Sequence, residues 1–594
     1  MFLVIFFGIL FFVFSLKVFI DKKIVFKDSW SRRAVWIFLI IMSISTLLSK
    51  NITLSFWGGM DQADSLLFLS ICTLLYFISV NVFSRRDVVS ILESFIGGVA
   101  ILSILYLIQE FTKVNLSLFG DLQAASIIVS LGFVVLISFI FNNTQYFKRS
   151  DTSFEVAKTV SAGVFFLLFL VVIFFMNFRL AWLFVSIGTF FVFWRSAIEN
   201  DFNLKSRRMV LSLIMLLFFL SFLFIFGQTS SISSSDARIS YGDSLNIITK
   251  TSGENIKNFL VGSGPSTYAY QFSLYKNDNL NQLGLGSLIF NQASIPLFTL
   301  LTTVGFLGTI SLLSIVGIFY FQAFPYFLNF KKREKDRSIN VNDIIFPVVF
   351  SSSLLLFFYK IDPISLLLIF ISLGLWVGQQ KSDEKIIEIS SVSKRVLEIF
   401  FVIFFVILLI IIVNFSSFYR SKILYEKAIA NYKSGGDISL SISEMEKAAQ
   451  LWKDGDNYIS LSQLYIIEAS REFSSASGSD SQMENIKNLA LKAEGIAKFA
   501  SVSDPNSFQG WQNLGLIYEN TDSMTDDRLD DAIGAYAKAE SLAPHNEDIY
   551  SAEGRLLESK GDYSGALEKY KKVFELNPFN SSAGKKVKEL ETHN

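Results

Sequence analysis

The sequence predicts an all-α protein in two parts: a polytopic membrane helical bundle over residues 1–414 and an α-solenoid of helical hairpins over residues 415–594. Three observations carry this. Hydrophobic residues make up 52% of the 594 and charged residues only 18%, where a soluble chain carries roughly a quarter. The apolar excess falls in blocks of about 20 residues, the length that spans a bilayer as a helix. Net charge is zero overall, yet from Arg420 onward 20 basic residues face 28 acidic ones, so a basic apolar part precedes an acidic polar one. An ordinary cytosolic enzyme and a disordered or collagen-like chain are both excluded, the latter by only 8 Pro and 33 Gly.

Apolar runs place about 12 spans, near 2–20, 34–49, 65–83, 88–108, 123–142, 157–176, 180–197, 209–227, 294–324, 344–360, 363–379 and 396–414. The first lacks a basic leading segment and a small-residue cleavage site, so it reads as a span and not as a signal peptide. Lys/Arg bias in short loops sets orientation. Lys22, Lys23, Lys27, Arg32 and Arg33 fill the loop 21–33, and every second loop after it is basic: Arg85 and Arg86; Lys148 and Arg149; Arg195 through Arg208; Lys331 through Arg337; Lys381 through Arg395. These loops are cytoplasmic, which puts the N-terminus, the loop 228–293 and the C-terminal domain outside. Enrichment in Phe, Ile, Lys and Asn suits an AT-rich bacterial genome, and the expected location is the bacterial cytoplasmic membrane. The loop 228–293 is too long for a simple connection and is expected to fold in part as short helices on the membrane.

In the C-terminal part, Tyr550, Gly554, Leu557, Gly561, Ala566, Tyr570 and Pro578 fit the offsets of one 34-residue tetratricopeptide unit over 547–580. Trp511, Leu514, Gly515, Tyr518, Ala532, Tyr536, Ala539 and Pro544 repeat it with a five-residue insertion. Tyr458, Leu461, Tyr465, Ala493, Ala497 and Pro505 make a looser unit, a degenerate one begins near Tyr425, and Gly584–Glu591 reads as a capping helix. Such arrays offer a concave surface to a protein or assembly partner and do no chemistry themselves; a rigid cap on the membrane domain is the simpler alternative.

Little in the sequence can carry chemistry. Cys72 is the single cysteine and lies in an apolar run, and the two histidines are His545 and His593, so His-dependent metal or acid–base chemistry within the membrane part is excluded. Arg179, in Asn177-Phe178-Arg179-Leu180-Ala181-Trp182, breaks an otherwise Lys/Arg-poor outer side, where a charge near lipid is costly unless used or solvated. Arg238 and Tyr241 follow in the large loop, then Gly262-Ser263-Gly264-Pro265-Ser266-Thr267-Tyr268, then Asn291 before the next span. Guanidinium forks pair with phosphate and glycines let backbone N–H groups approach it, so together these point to a site for an anionic head group. Each has a plainer reading: an interfacial anchor for Arg179, a salt bridge to Asp236 or Asp243 for Arg238, a simple turn at Gly262–Gly264, and a helix cap for Asn291.

The order of these residues resembles the O-antigen ligase/polymerase superfamily, membrane glycosyltransferases that use undecaprenyl-diphosphate-linked glycans. Asn177–Leu183 is similar to that family's Arg-led span opening. Arg238, Tyr241 and Gly262–Tyr268 are similar to its large-loop pattern, and Phe290-Asn291 ahead of Gly305 and Gly308 to its His-Asn pair. The Phe56-Trp57-Gly58-Gly59 turn resembles an outer loop of members with C-terminal repeats. The likeness covers roughly residues 30–325. It implies transfer of a glycan from a lipid diphosphate to an acceptor hydroxyl on a glycan, lipid or protein. Arg179, Arg238 and Asn291 would be catalytic, and Tyr241, Gly262, Gly264 and Tyr268 would bind substrate. The implied partners are the lipid-linked donor, membrane lipids and a protein met by the repeats, with no nucleic acid, no cofactor and no metal. Deleting 420–594 is expected to abolish transfer while sparing donor turnover.

Phe290 stands where the family places its histidine. Asp243, Glu254 or Tyr241 could take the acceptor proton, the departing diphosphate could make a base dispensable, or the chain could bind the glycan lipid without reacting. A lipid-linked glycan transporter is the competing class; it predicts polar residues inside several spans, and the spans are mostly bare Phe, Leu and Ile.

Overall fold

The computed structural model describes residues 23–27, 29–59, 62–113, 121–142, 153–199, 202–203, 205–225, 239–328, 341–380, 384–388, 391–475, 479–525 and 527–593. After β1 (Lys23–Lys27) come α1 (Trp30–Leu47), α2 (Ile52–Trp57), α3 (Leu66–Asn81), α4 (Arg85–Thr112), α5 (Leu122–Asn142), α6 (Ser153–Met176), α7 (Arg179–Glu199) and α8 (Arg207–Ile225). The large loop folds into α9 (Tyr241–Glu254), α10 (Ile256–Val261), α11 (Tyr268–Tyr275) and α12 (Asn279–Gln282). Then follow α13 (Pro296–Thr303), α14 (Gly305–Leu328), α15 (Val341–Phe358), α16 (Pro363–Gly378), β2 (Glu384–Glu388) and α17 (Ser391–Lys433). The chain closes with α18 (Ile438–Leu451), α19 (Gly455–Ser474), α20 (Asp480–Ser503), α21 (Phe508–Thr521), α22 (Leu529–Leu542), α23 (Glu547–Ser559), α24 (Tyr563–Leu576) and α25 (Ser581–His593).

Among the described residues eight stretches are long and apolar enough to cross a membrane: α1, α4, α5, α7, α14, α15, Thr159–Met176 of α6 and Phe405–Lys433 of α17. The apolar α3 and α16 are shorter, and the expected run at 2–20 lies outside the described residues. The bundle is organised around α5, buried along most of its length, which packs on α4, α6, α7 and α15. One strut joins helix ends: Arg195 Nη1 lies 2.5 Å from Asp343 Oδ2, Arg195 Nε lies 2.7 Å from Glu199 Oε1, and Tyr326 Oη donates to Asp343 Oδ1 at 2.5 Å.

Three features depart from the expectation. Among the described residues the fold is helical except for a two-stranded antiparallel ribbon, in which Lys23 faces Glu388 and Lys27 faces Glu384 in register. It joins loops that the Lys/Arg pattern puts on one side. The run 294–324 is not one span: it breaks at Val304 into α13 and α14, where Gly305 has φ +70°. Finally, the 414/415 boundary falls within α17, a single helix of 43 residues and about 65 Å that runs into the first repeat.

The C-terminal helices stack in succession, α17 with α18, α19 with α20, α21 with α22 and α23 with α24, each pair touching the next and α25 closing the end. Small residues let the hairpins close: a Cβ on Gly515 would meet the Tyr536 ring at 2.9 Å, and one on Gly554 the Tyr570 ring at 3.0 Å. Ala493, Ala497, Ala532, Ala539 and Ala566 are wholly buried. These are the positions the tetratricopeptide pattern assigns, and the domain is a solenoid of that kind.

The solenoid folds back onto the apolar bundle and its large loop. Trp452 meets Trp57 and Phe418 edge-on at 5.8 and 5.3 Å. Tyr270 Oη donates to Asp504 Oδ2 at 2.6 Å, and Asn506 Nδ2 to the Lys50 carbonyl at 2.9 Å. Asn281 Nδ2 donates to the His545 carbonyl at 3.0 Å, and His545 Nδ1 lies 2.6 Å from Asp278 Oδ1. Ile289 packs against both the loop core and the repeat core.

Candidate functional site

The connections before α5, before α7 and between α15 and α16 meet in a polar corner. Asp121 caps α5, its Oδ1 accepting from the N–H groups of Gln123 and Ala124 at 2.8 and 3.3 Å. Its Oδ2 lies 2.6 Å from Lys360 Nζ and accepts from Tyr359 Oη at 3.2 Å. Burial raises the Asp121 carboxyl, but the Lys360 ammonium and the capping N–H groups outweigh it and the net shift is downward. Phe178 lies edge-on to Tyr359 at 6.1 Å. Asn177 turns with φ +44°, and Arg179 opens α7, exposed, with no ion pair or hydrogen bond among the described residues.

Gln292 extends the corner toward the large loop, its Oε1 accepting from the Ile361 N–H at 2.9 Å. Asn291 beside it is exposed. The Ser294 N–H donates to Ser244 Oγ of α9 at 3.1 Å, and Tyr241, exposed at the start of α9, meets Phe298 edge-on at 6.2 Å. The chain neighbours of Arg179 and Asn291, namely Phe178, Gln292 and Ser294, thus make the contacts that join these segments to one another and to the start of α9. Arg238 lies outside the described residues.

The glycine turn is built differently from the expectation. Gly262 and Gly264 have φ +73° and +116°, but both are buried and their N–H groups are spent. Gly262 N–H donates to the Asn258 carbonyl at 3.0 Å, Ser263 N–H to Thr302 at 3.1 Å and Gly264 N–H to Thr303 at 2.8 Å. The turn therefore caps the broken end of α13 instead of cradling an anion. Asp64 holds it from below, accepting from Ser266 N–H and Oγ at 3.0 and 2.9 Å. Tyr268 is likewise no ligand group: it is fully buried in the loop core with Ile247 and Phe272, and burial raises its hydroxyl pKa.

Phe290 lies edge-on to Phe272 at 5.2 Å, an apolar anchor in that core. Glu254 is occupied, accepting from Tyr275 Oη and Asn258 Nδ2, both at 2.5 Å. Asp243 remains half-buried, with Ser240 Oγ at 2.6 Å and Asn277 Nδ2 at 3.2 Å. Lys360, Asp121 and Gln292 were missed from the sequence. The available signal was a Lys-Ile-Asp-Pro turn interrupting two apolar runs, read there as the end of a span.

No protein-family model matches the chain, and no curated protein does. Among solved structures, it is similar to a thermophilic tetratricopeptide-repeat protein of Thermus thermophilus, at 20% identity over 29% of this chain and 81% of that one, TM-score 0.24. It is similar to pilF of Pseudomonas aeruginosa at 14% identity, over 30% and 85% of the two chains, TM-score 0.19. For yeast Tom70 the identity is 13% over 78% and 95%, with a TM-score of 0.20.

The solenoid carries a groove of about 530 Å³, lined by Tyr425, Gln463, Gln512, Asp548, Ser551 and Arg555 among others. Its lining is rich in amides and hydroxyls and sets two carboxylates, Asp456 and Asp548, against one cation, Arg555.

Proposed function

We propose that the protein is a twelve-span glycosyltransferase of the bacterial cytoplasmic membrane. It transfers a glycan from an undecaprenyl-diphosphate donor to an acceptor hydroxyl on the outer side. The observation that carries this is Arg179, a cation without a partner among the described residues at the end of a membrane-crossing helix, next to the Phe178–Tyr359 contact and the Lys360–Asp121 pair. A free guanidinium at that level is suited to a diphosphate, and Lys360 can share its charge. The contacts Asp121–Lys360, Gln292–Ile361, Asn506–Lys50 and Tyr270–Asp504 all join segments that the Lys/Arg pattern places outside, which favours the topology.

In the reaction the acceptor oxygen attacks the anomeric carbon, the bond to the diphosphate oxygen breaks, and its electron pair leaves with the diphosphate. Attack from the face opposite the leaving group inverts the anomer. The acceptor proton goes to a carboxylate, for which the half-buried Asp243, two residues from Tyr241 in the first turn of α9, is the candidate. The test is release of undecaprenyl diphosphate from a glycan-loaded donor by purified protein. Arg179→Ala should lower the rate by about 10²–10³, the usual cost of one preorganised donor to a developing charge. Equal rates for wild type and variant would remove Arg179 from the chemistry. A binder or transporter without transfer is favoured by Phe290, whose ring fills the loop core; it predicts donor binding with no release from either protein.

A further inference from the structure

Where α9 meets α10, two ammonium groups, those of Lys50 and Lys257, face one carboxylate, Glu254. Lys50, just past α1, is 30% exposed at its side chain and stands 4.0 Å from Glu254 Oε2. With its amide oriented to satisfy both neighbours, Gln271 accepts from Lys50 Nζ at 2.9 Å and donates to Glu254 Oε1 at 3.3 Å. Lys257 of α10 donates to Asn258 Oδ1 at 3.3 Å, and Lys250 Nζ lies 5.8 Å from the Tyr275 ring centroid. Glu254 is the one carboxylate within 4.0 Å of Lys50 or Lys257 among the described residues, and Tyr275 and Asn258 already use its two oxygens. Burial lowers the pKa of both lysines, and the Lys50 charge lowers that of Lys257 further. An added anion would relieve this excess of positive charge.

The surroundings say which anion. Phe259 of α10 stacks on Phe306 of α14 at 5.6 Å. Ile256 is 79% exposed, and Phe259, Phe306, Leu307 and Ile310 are exposed beside it. This apolar strip runs from α10 onto a helix fit to cross the membrane, so the lysines stand at the level where lipid head groups lie.

We infer that Lys50 and Lys257 bind the phosphate of an anionic membrane lipid, whose acyl chains lie along Ile256, Phe259, Phe306 and Ile310. The site is carried by the end of α1, α10 and α14, not by the segments that hold Arg179 and Lys360, so it stands whether or not glycan transfer does.

The test uses the full chain in nanodiscs of phosphatidylcholine doped with phosphatidylglycerol, with lipid retention read by native mass spectrometry. K50Q/K257Q should weaken phosphatidylglycerol retention about 30-fold, from roughly one surface-lysine increment each. K50R/K257R should retain it like wild type. Lys257→Gln alone, which loses only the Asn258 contact, should weaken it about fivefold and serves if the double variant fails to fold. Undiminished retention in K50Q/K257Q, or in Lys257→Gln where the pair does not fold, overturns the inference. Displacement of the lipid by an equal concentration of inorganic phosphate overturns it too, because the site would then serve free anions.

Discussion

At the scale of residues, the burial of a group decides its role more than its type does. Gly264 looks like a phosphate-binding glycine in the sequence, yet a Cβ there would sit 2.0 Å from Ser49 Oγ with φ at +116°. Gly264→Ala should therefore cost about 2–4 kcal/mol of stability from strain and overpacking, seen as a lower melting temperature. Donor binding per folded molecule should not change; a binding loss at unchanged melting temperature would restore the phosphate role. Lys276 offers a second test. It is buried with its ammonium on the Gly286 carbonyl, and burial lowers its pKa to about 8 from 10.5, against the pull of Asp548, Glu547 and Asp278. Between those values the unfolded chain holds more protons than the folded one, so stability rises with pH across the window, by about 3 kcal/mol in all. Denaturation of wild type beside Lys276→Met should show that rise in wild type only, and parallel curves would mean that the ammonium is solvated.

At the scale of elements, two helices decide how the parts connect. The α13–α14 break exposes the Thr302 and Thr303 carbonyls to the glycine turn, which explains why that turn is closed to ligands. Continuity of α17 fixes the first repeat relative to the apolar part of that helix, and Trp452, wedged between Phe418 of α17 and Trp57 of α2, secures it from the side. Trp452→Ala should remove about 1–3 kcal/mol from that docking through its two edge-to-face contacts. Hydrogen exchange in α2 should then speed up at least about fivefold while α21–α25 stay protected. Unchanged exchange in α2 would show that the polar contacts at Tyr270 and Asn506 suffice.

At the scale of the whole molecule, the solenoid is part of the fold of the large loop. It covers Ile289 and places Glu547 and Asp548 around Lys276. A cut at 420, which the sequence suggested would spare donor turnover, also severs α17 and uncovers that loop, so donor turnover should fall with transfer. Gln463→Ala with Gln512→Ala, confined to the groove, should lower transfer to the native acceptor and leave donor release intact; loss of both activities would assign the groove a structural role. The architecture was legible because local patterns encode it: apolar blocks of bilayer length, Lys/Arg alternation between loops, and Gly, Ala and Tyr at hairpin crossings need no knowledge of distant neighbours. Arg179 stood out as an exception to the Lys/Arg pattern, whereas Tyr241 and Asn291 were singled out only by their order along the chain. The sequence by itself therefore determined helices of bilayer-spanning length, a Lys/Arg alternation between their loops, and a repeat solenoid. Only tertiary structure decided that Gly262, Gly264 and Tyr268 are buried, that Lys360 and Asp121 complete the polar corner, and that the solenoid docks on the loop. Those outcomes depend on which distant segments meet and on which hydrogen-bond donors are already spent, and neither is written in local spacing.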